Sequence, residues 1–219
     1  MTFFGHVQLV SQICILAIFS ALTYWEMYKT KQIKIILILV FAFYNLITVD
    51  ALASRITCIC LLIFLFLSKI GMSRVLQLSS RTYIILGFIA SILIVSASVI
   101  NNECFNTAIR FLDFSGRGYV WVAAIKKIKD SILIGYGIEG IQLSVFWNKW
   151  TNVSGFNYTH NQVLQSLLDG GLLLLLSYFI MLLTSCKNIK KIKDAKIKVL
   201  TNSCLICFLL IMICESTSL

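Results

Sequence analysis

The sequence predicts an all-α integral membrane protein with about six transmembrane helices and one long extracytoplasmic loop holding short amphipathic helices. Three observations predict it. Hydrophobic residues make up 59% of the 219-residue chain, only 13% are charged, and mean hydropathy is +0.90, a balance foreign to soluble domains. Proline is absent, which favours uninterrupted helices. Most lysines and arginines sit in short runs between apolar segments, as cytoplasmic loops do. The net charge of +10 is therefore an orientation signal, and no basic-aromatic motif points to nucleic acid.

A spanning helix needs roughly 20 apolar residues. The candidates are Val7–Met27, Ile35–Val49, Ile56–Ser68, Tyr83–Ile100, Val163–Cys186 and Val199–Cys214. The first is too long for a cleaved signal peptide and lacks the basic start of one. Lys29, Lys31 and Lys34 follow the first span, Lys69, Arg74 and Arg81 the third, and Lys187, Lys190, Lys191, Lys193, Lys196 and Lys198 the fifth. If the spans alternate, all of these lie on one side, the cytoplasmic side. The expected organisation is four spans over residues 1–100, an extracytoplasmic loop over 101–162 that carries the chemistry, and two spans with a Lys-rich cytoplasmic loop over 163–219. Seven of the eight cysteines fall in or beside apolar segments, where Cys behaves as a small hydrophobe. Cys204-x-x-Cys207 lacks a second pair for zinc.

Two charges stand close to the expected outer boundary. Thirteen residues separate Arg55 from Lys69, about 20 Å of helix in a hydrocarbon layer ~30 Å thick. Arg55 is thus expected below the outer surface, facing the bundle interior with a partner or snorkelling to headgroups. About 20 residues outward from Lys187 is Leu167, so Asp169 also lies at the boundary. Beside it, Gly170-Gly171 can break the helix or allow close packing.

Within the loop, Ser115 is a suitable N-cap for a helix starting near Gly116. Arg117, Trp121, Ala124, Ile125, Ile128 and Ile132 share one face, with Lys126, Lys127 and Asp130 opposite. Such a helix suits a membrane surface, with Arg117 placed to grip an anion near its start, or simply a headgroup or Asp113. Gly135-Tyr136-Gly137-Ile138-Glu139-Gly140 reads as a tight turn without the Lys-Ser/Thr pair of a phosphate loop. Phe146, Trp147, Trp150, Phe156 and Tyr158 fit an interfacial belt better than a sugar-stacking platform. Thr159 is expected to cap a second helix with His160 and Asn161 in its first turn.

Taken together, Ser115-Gly116-Arg117 with Trp121, Gly135 to Gly137, His160-Asn161 and Leu164 to Gly171 resemble the O-antigen polymerase and ligase superfamily, over about residues 45 to 190. Ser54-Arg55 resembles that family's earlier arginine. The resemblance implies glycosyl transfer from an undecaprenyl-diphosphate-linked glycan, with no metal, cofactor or nucleotide sugar. Membrane lipids and a chain-length regulator are the further partners it suggests. Arg55 and Arg117 would hold the leaving diphosphate, since arginine's fork binds phosphate at two points and stays charged. His160 would be the general base for the acceptor hydroxyl. Asn161, Ser115, Glu139 and Asp169 would orient that ring or contact sugar, Glu139, Asp169 and Asp113 being second-rank candidates for the base. Members of this family usually have ten or more spans, so a partial chain is expected, with activity on its own left open.

Polymerisation of lipid-linked O-antigen or capsule units is the leading reading. Ligation of the finished glycan to lipid A-core, or transfer to a surface protein, uses the same donor chemistry. A flippase would place ionisable groups near the bilayer centre, and the middle thirds of these spans hold none. A structural subunit would leave Arg55, Arg117 and His160 at headgroup level.

Overall fold

A computed structural model describes residues 7–29, 32–48, 52–69, 79–104, 117–137 and 158–214. Every regular element among them is a helix: α1 (Val7–Tyr28), α2 (Ile33–Thr48), α3 (Leu52–Lys69), α4 (Ser80–Cys104), α5 (Arg117–Asp130), α6 (Gln162–Lys190) and α7 (Ala195–Cys214). Four of these are long and apolar enough to cross a membrane: α1, α4, α6 and α7. The other two apolar segments, Ile33–Thr48 and Arg55–Leu67, form shorter helices. The six apolar stretches thus fold as helices close to their expected limits.

Helix ends follow from local chemistry. Lys29 ends α1 in the left-handed conformation (φ 51°) with its amide on the Trp25 carbonyl at 2.8 Å, the closing bond of an αL cap. Its ammonium pairs with Glu26, which also takes Lys196 at 3.1 Å. Asp194 caps α7: one carboxylate oxygen accepts the amides of Lys196 at 2.8 Å and Ile197 at 3.1 Å. These amides, Ile197 first, hold the Asp194 carboxyl below its usual range.

The chain divides into two compact units, Met1–Ile85 with Leu183–Ile211, and Leu86–Leu182 with Met212–Leu219. The first is centred on Cys14, Ile15, Ile18 and Phe19 of α1, Leu46 of α2, Cys58 and Leu61 of α3, and Cys207 and Ile211 of α7. The cysteines of this core are free thiols that pack as apolar side chains. One buried polar link accompanies them, from the Ser80 hydroxyl to Asn202 Oδ1 at 2.8 Å. The core of the second unit joins Val95 of α4, Val120, Trp121, Ala124 and Ile128 of α5, and Leu164 and Leu168 of α6.

Helix α5 therefore corrects one expectation. Its apolar face is covered by α4 and α6 side chains rather than kept for a membrane surface, and Trp121 is among the largest fully buried side chains. The face also ends sooner. The helix stops at Asp130, and Ile132 lies in the following turn, exposed with Leu133 and Ile134. The Ser115 cap expected for α5 lies outside the described residues, as do Asp113, Glu139 and the aromatic run from Phe146 to Phe156.

Candidate functional site

Helix α6 holds the centre of the second unit because its backbone is broken. Gly170 (φ −140°, ψ 15°) and Gly171 (φ 62°, ψ −156°) are non-helical, and the Gly171 conformation is almost exclusive to glycine. A regular helix would bond the Leu172 and Leu173 amides to the Leu168 and Asp169 carbonyls. Here all four groups turn to the segment after α5. Leu172 N donates to Ile132 O at 2.8 Å and Leu173 N to Leu133 O at 3.3 Å. In return, Leu168 O accepts from Tyr136 N at 2.7 Å and Asp169 O from Gly137 N at 2.8 Å. These four groups exchange one backbone partner for another and stay paired, which matters where water is scarce.

The close approach explains the glycines on both sides. A Cβ on Gly135 would lie 2.5 Å from Leu168 O, and one on Gly171 2.3 Å from the Leu133 carbonyl. The Tyr136 hydroxyl donates to Lys127 O and the Ser131 hydroxyl to Gly135 O, each at 2.8 Å. The expected tight turn and the expected helix break are two halves of one interlock.

The start of α6 is also built differently from the expectation. Asn161, not Thr159, is the N-cap: its Oδ1 accepts the amides of Val163 and Leu164, each at 3.1 Å. Its Nδ2 donates to Ser91 Oγ at 2.9 Å and to Ile213 O at 3.1 Å. One side chain thus serves the first amides of α6 and a terminal carbonyl of α7, two classes of group a helix leaves unpaired. Asn161 is fully buried and every position of its carboxamide is used. These four bonds fix the backbone next to the preceding residue.

That residue is His160. It precedes the helix instead of sitting in its first turn, and its backbone is left-handed (φ 52°). Histidine tolerates this region better than most side chains, but the geometry has to be imposed by its surroundings. Thr159 supplies that constraint. Its amide donates to Gln165 Oε1 at 3.0 Å, and its hydroxyl is shared between Asn161 O at 2.9 Å and Gln165 Oε1 at 3.1 Å. Its carbonyl accepts the indole N–H of Trp121 at 2.8 Å. His160 is 8% exposed, and its ring centre lies 4.0 Å from that of Tyr158, tilted by 34°.

The Trp121 bond joins the two expected catalytic segments. Arg117 opens α5 one turn before Trp121, on the same helical face, and is half-buried. Residues at that spacing lie about 6 Å apart along the axis, so the arginine-bearing face and the His160 turn belong to one local structure. Asp169 is half-buried on α6 and accepts Gln165 Nε2 at 2.8 Å. Arg55 belongs to the first unit. It is exposed and shares its helix face with the exposed Ile59, Leu62 and Phe66, while Thr57, Cys58 and Leu61 turn inward.

Comparison with known proteins decides the family. A family model described as O-antigen ligase matches residues 7–179. The chain belongs to the O-antigen ligase family. Its members are membrane glycosyltransferase-like enzymes of surface-polysaccharide assembly, acting on lipid-linked glycans among membrane lipids. No curated protein and no solved structure gives a significant match. The segments on which the sequence resemblance rests, namely the α5 start, the Gly135 to Gly137 turn, His160-Asn161 and the broken α6 as far as Gly171, lie within the matched residues. Gln165 is the residue that sequence reasoning missed. A glutamine one turn after Asn161 and one turn before Asp169, at the start of a membrane span, was its only signal.

Proposed function

We propose that this chain is an inner-membrane glycosyltransferase that extends undecaprenyl-diphosphate-linked O-antigen or capsule units as a polymerase. The Trp121–Thr159 hydrogen bond carries the reading, because it couples the face bearing Arg117 to the turn bearing His160. His160 accepts the proton of the acceptor hydroxyl as that oxygen attacks the anomeric carbon. The bond from that carbon to the diphosphate oxygen breaks, and its electron pair leaves on the lipid diphosphate. Arg117 stabilises the leaving charge through a two-point contact. Direct displacement inverts the anomeric carbon. A retained configuration in the product would sink the single-displacement scheme.

Arg55 is proposed as a second diphosphate contact on the family resemblance, and Arg55→Lys is its own test, since lysine keeps the charge but loses the fork. Asp169, Ser115 and Glu139 are proposed for acceptor or sugar contact on the same footing. No metal is given a role, and transfer that persists in excess EDTA is the corresponding expectation. The lysine runs support a cytoplasmic face for the α6–α7 connection and a periplasmic face for the site. A chain-length regulator is proposed as a partner on the polymerase reading alone.

The description of the matching family as a ligase favours a second reading, transfer of finished glycan to lipid A-core or another acceptor. Complementation separates the two. The gene is placed in strains lacking either the polymerase or the ligase of a matched glycan locus, and surface glycan is resolved on gels. Long ladders in the first strain, lost with His160→Ala or Arg117→Ala, identify a polymerase. Transfer in the second strain without extension in the first identifies a ligase. Activity that survives both substitutions refutes the catalytic assignment.

A further inference from the structure

Gln165 is 4% exposed, one turn into α6. A buried carboxamide is costly unless both its ends are satisfied, and leucine would fill similar space without that demand. Both ends are satisfied here. Oε1 faces two donors of Thr159, its amide at 3.0 Å and its hydroxyl at 3.1 Å, and Nε2 donates to Asp169 Oδ1 at 2.8 Å. A carboxylate accepts and an amide N–H donates, so the glutamine has one orientation. We propose that Gln165 is a positioning residue for the transfer step, locking the Thr159–His160 backbone and tying it to Asp169 and the Gly-Tyr-Gly turn. The inference rests on the reading of His160 as the general base.

The argument is one of constraint. Thr159 is held at its amide by Gln165, at its carbonyl by Trp121 and at its hydroxyl by Asn161 and Gln165. On the other side Asn161 is held by α6, Ser91 and Ile213. With the residues on both sides fixed, His160 keeps a left-handed backbone (φ 52°), and that backbone aims its ring. Gln165 extends the fixation along α6 to Asp169, whose carbonyl accepts Gly137 N at 2.8 Å. Its position therefore couples the histidine turn to the interlock that holds α5. A base must sit within hydrogen-bond reach of the proton it takes, and misplacement by about 1 Å costs on the order of 100-fold in rate.

The test uses the full protein in proteoliposomes, with polyprenyl-diphosphate-linked glycan purified from the source strain as donor. Four proteins are compared: Gln165→Leu, Gln165→Glu, His160→Ala and the Gln165→Leu/His160→Ala double variant. Leucine removes both contacts, whereas glutamate keeps the acceptor that holds Thr159. We expect Gln165→Leu to lower kcat about 100-fold with KM within about twofold, and Gln165→Glu to recover at least about tenfold of that loss. The double variant should be no slower than His160→Ala, because residues acting through one group are non-additive. If Gln165→Leu unfolds, Gln165→Glu still decides when it and the parent are read at mildly acid pH, where the new carboxyl and Asp169 share one proton and the contacts to Thr159 and Asp169 are both kept: a kcat far below the parent and equal to that of His160→Ala overturns the proposal. A kcat for Gln165→Leu within about threefold of the parent overturns it, as does a loss that adds fully to that of His160→Ala. A parental rate in His160→Ala refutes the general-base reading itself, and the positioning role falls with it.

Discussion

Replacing Asn161 by alanine removes four hydrogen bonds from one buried position: two accepted by Oδ1 and two donated by Nδ2. The loss has two separable parts. Removing an N-cap costs about 1 kcal/mol. Leaving the Ile213 carbonyl buried without its Asn161 partner costs about 1–3 kcal/mol more, while Ser91 Oγ loses one accepted bond and keeps its own proton to donate. The expected total is about 2–4 kcal/mol. For a chain of this size that corresponds to a fall of roughly 4–16 °C in unfolding midpoint. Asn161→Ser divides the effect, because serine caps a helix about as well as asparagine but has no amide to reach Ile213. It should regain about 1 kcal/mol of the loss. The assay is thermal unfolding of the purified protein in detergent, followed by tryptophan fluorescence. A midpoint for Asn161→Ala within about 1 °C of the parent would refute the account of Asn161 as the joint between α6 and α7. A serine variant as unstable as the alanine variant would refute the capping half alone.

Three further predictions rest on the same geometry. Gly171→Ala forces a Cβ to within 2.3 Å of the Leu133 carbonyl in a backbone region almost closed to alanine. It should cost about 1–3 kcal/mol in conformation alone and speed amide exchange at Tyr136 and Gly137, and unchanged exchange would rule out the interlock. Trp121→Phe deletes the indole donor to Thr159 and leaves a buried carbonyl unpaired, an expected loss of about 1–3 kcal/mol. Glycan transfer should fall in the same variant at parental expression, and parental transfer would separate α5 from the histidine turn. Asp194 has its carboxyl held low by the Ile197 and Lys196 amides. Its stabilising effect is complete above the ordinary aspartate value of about 3.9 and is lost as pH falls through the lower folded value. An asparagine in its place would cap α7 at every pH, so Asp194→Asn should match the parent near neutrality and fall less steeply below about pH 4; parallel acid profiles would remove Asp194 as a contributor.

The apolar helices were legible because length and hydropathy are properties of contiguous residues. Runs such as Val7–Met27 and Val163–Cys186 have few alternatives to a helix once proline is absent and water is excluded. The glycine pairs were legible as irregular backbone for the same local reason, and Gly170-Gly171 does break α6. That Gly135 fits against Leu168 and Gly171 against Leu133 was not legible. Two loops that each need a small residue carry no sign of which partner fills the space.

The candidate site divides along the same line. Arg117 and Trp121 on one face of a helix follow from a spacing of four, and His160-Asn161 stood out as the polar start of an apolar segment. Tertiary structure alone decided that Asn161 caps α6 and reaches Ile213, that Trp121 holds Thr159, and that Gln165 ties both to Asp169. It also turned the apolar face of α5 onto Val95, Leu164 and Leu168, a partner that an amphipathic pattern cannot name, because protein core and lipid are equally apolar. By itself the sequence determined an all-helical membrane chain and the order of its motifs. The pairing of buried donors with distant acceptors was decided only when folding brought their partners within about 3 Å of one another.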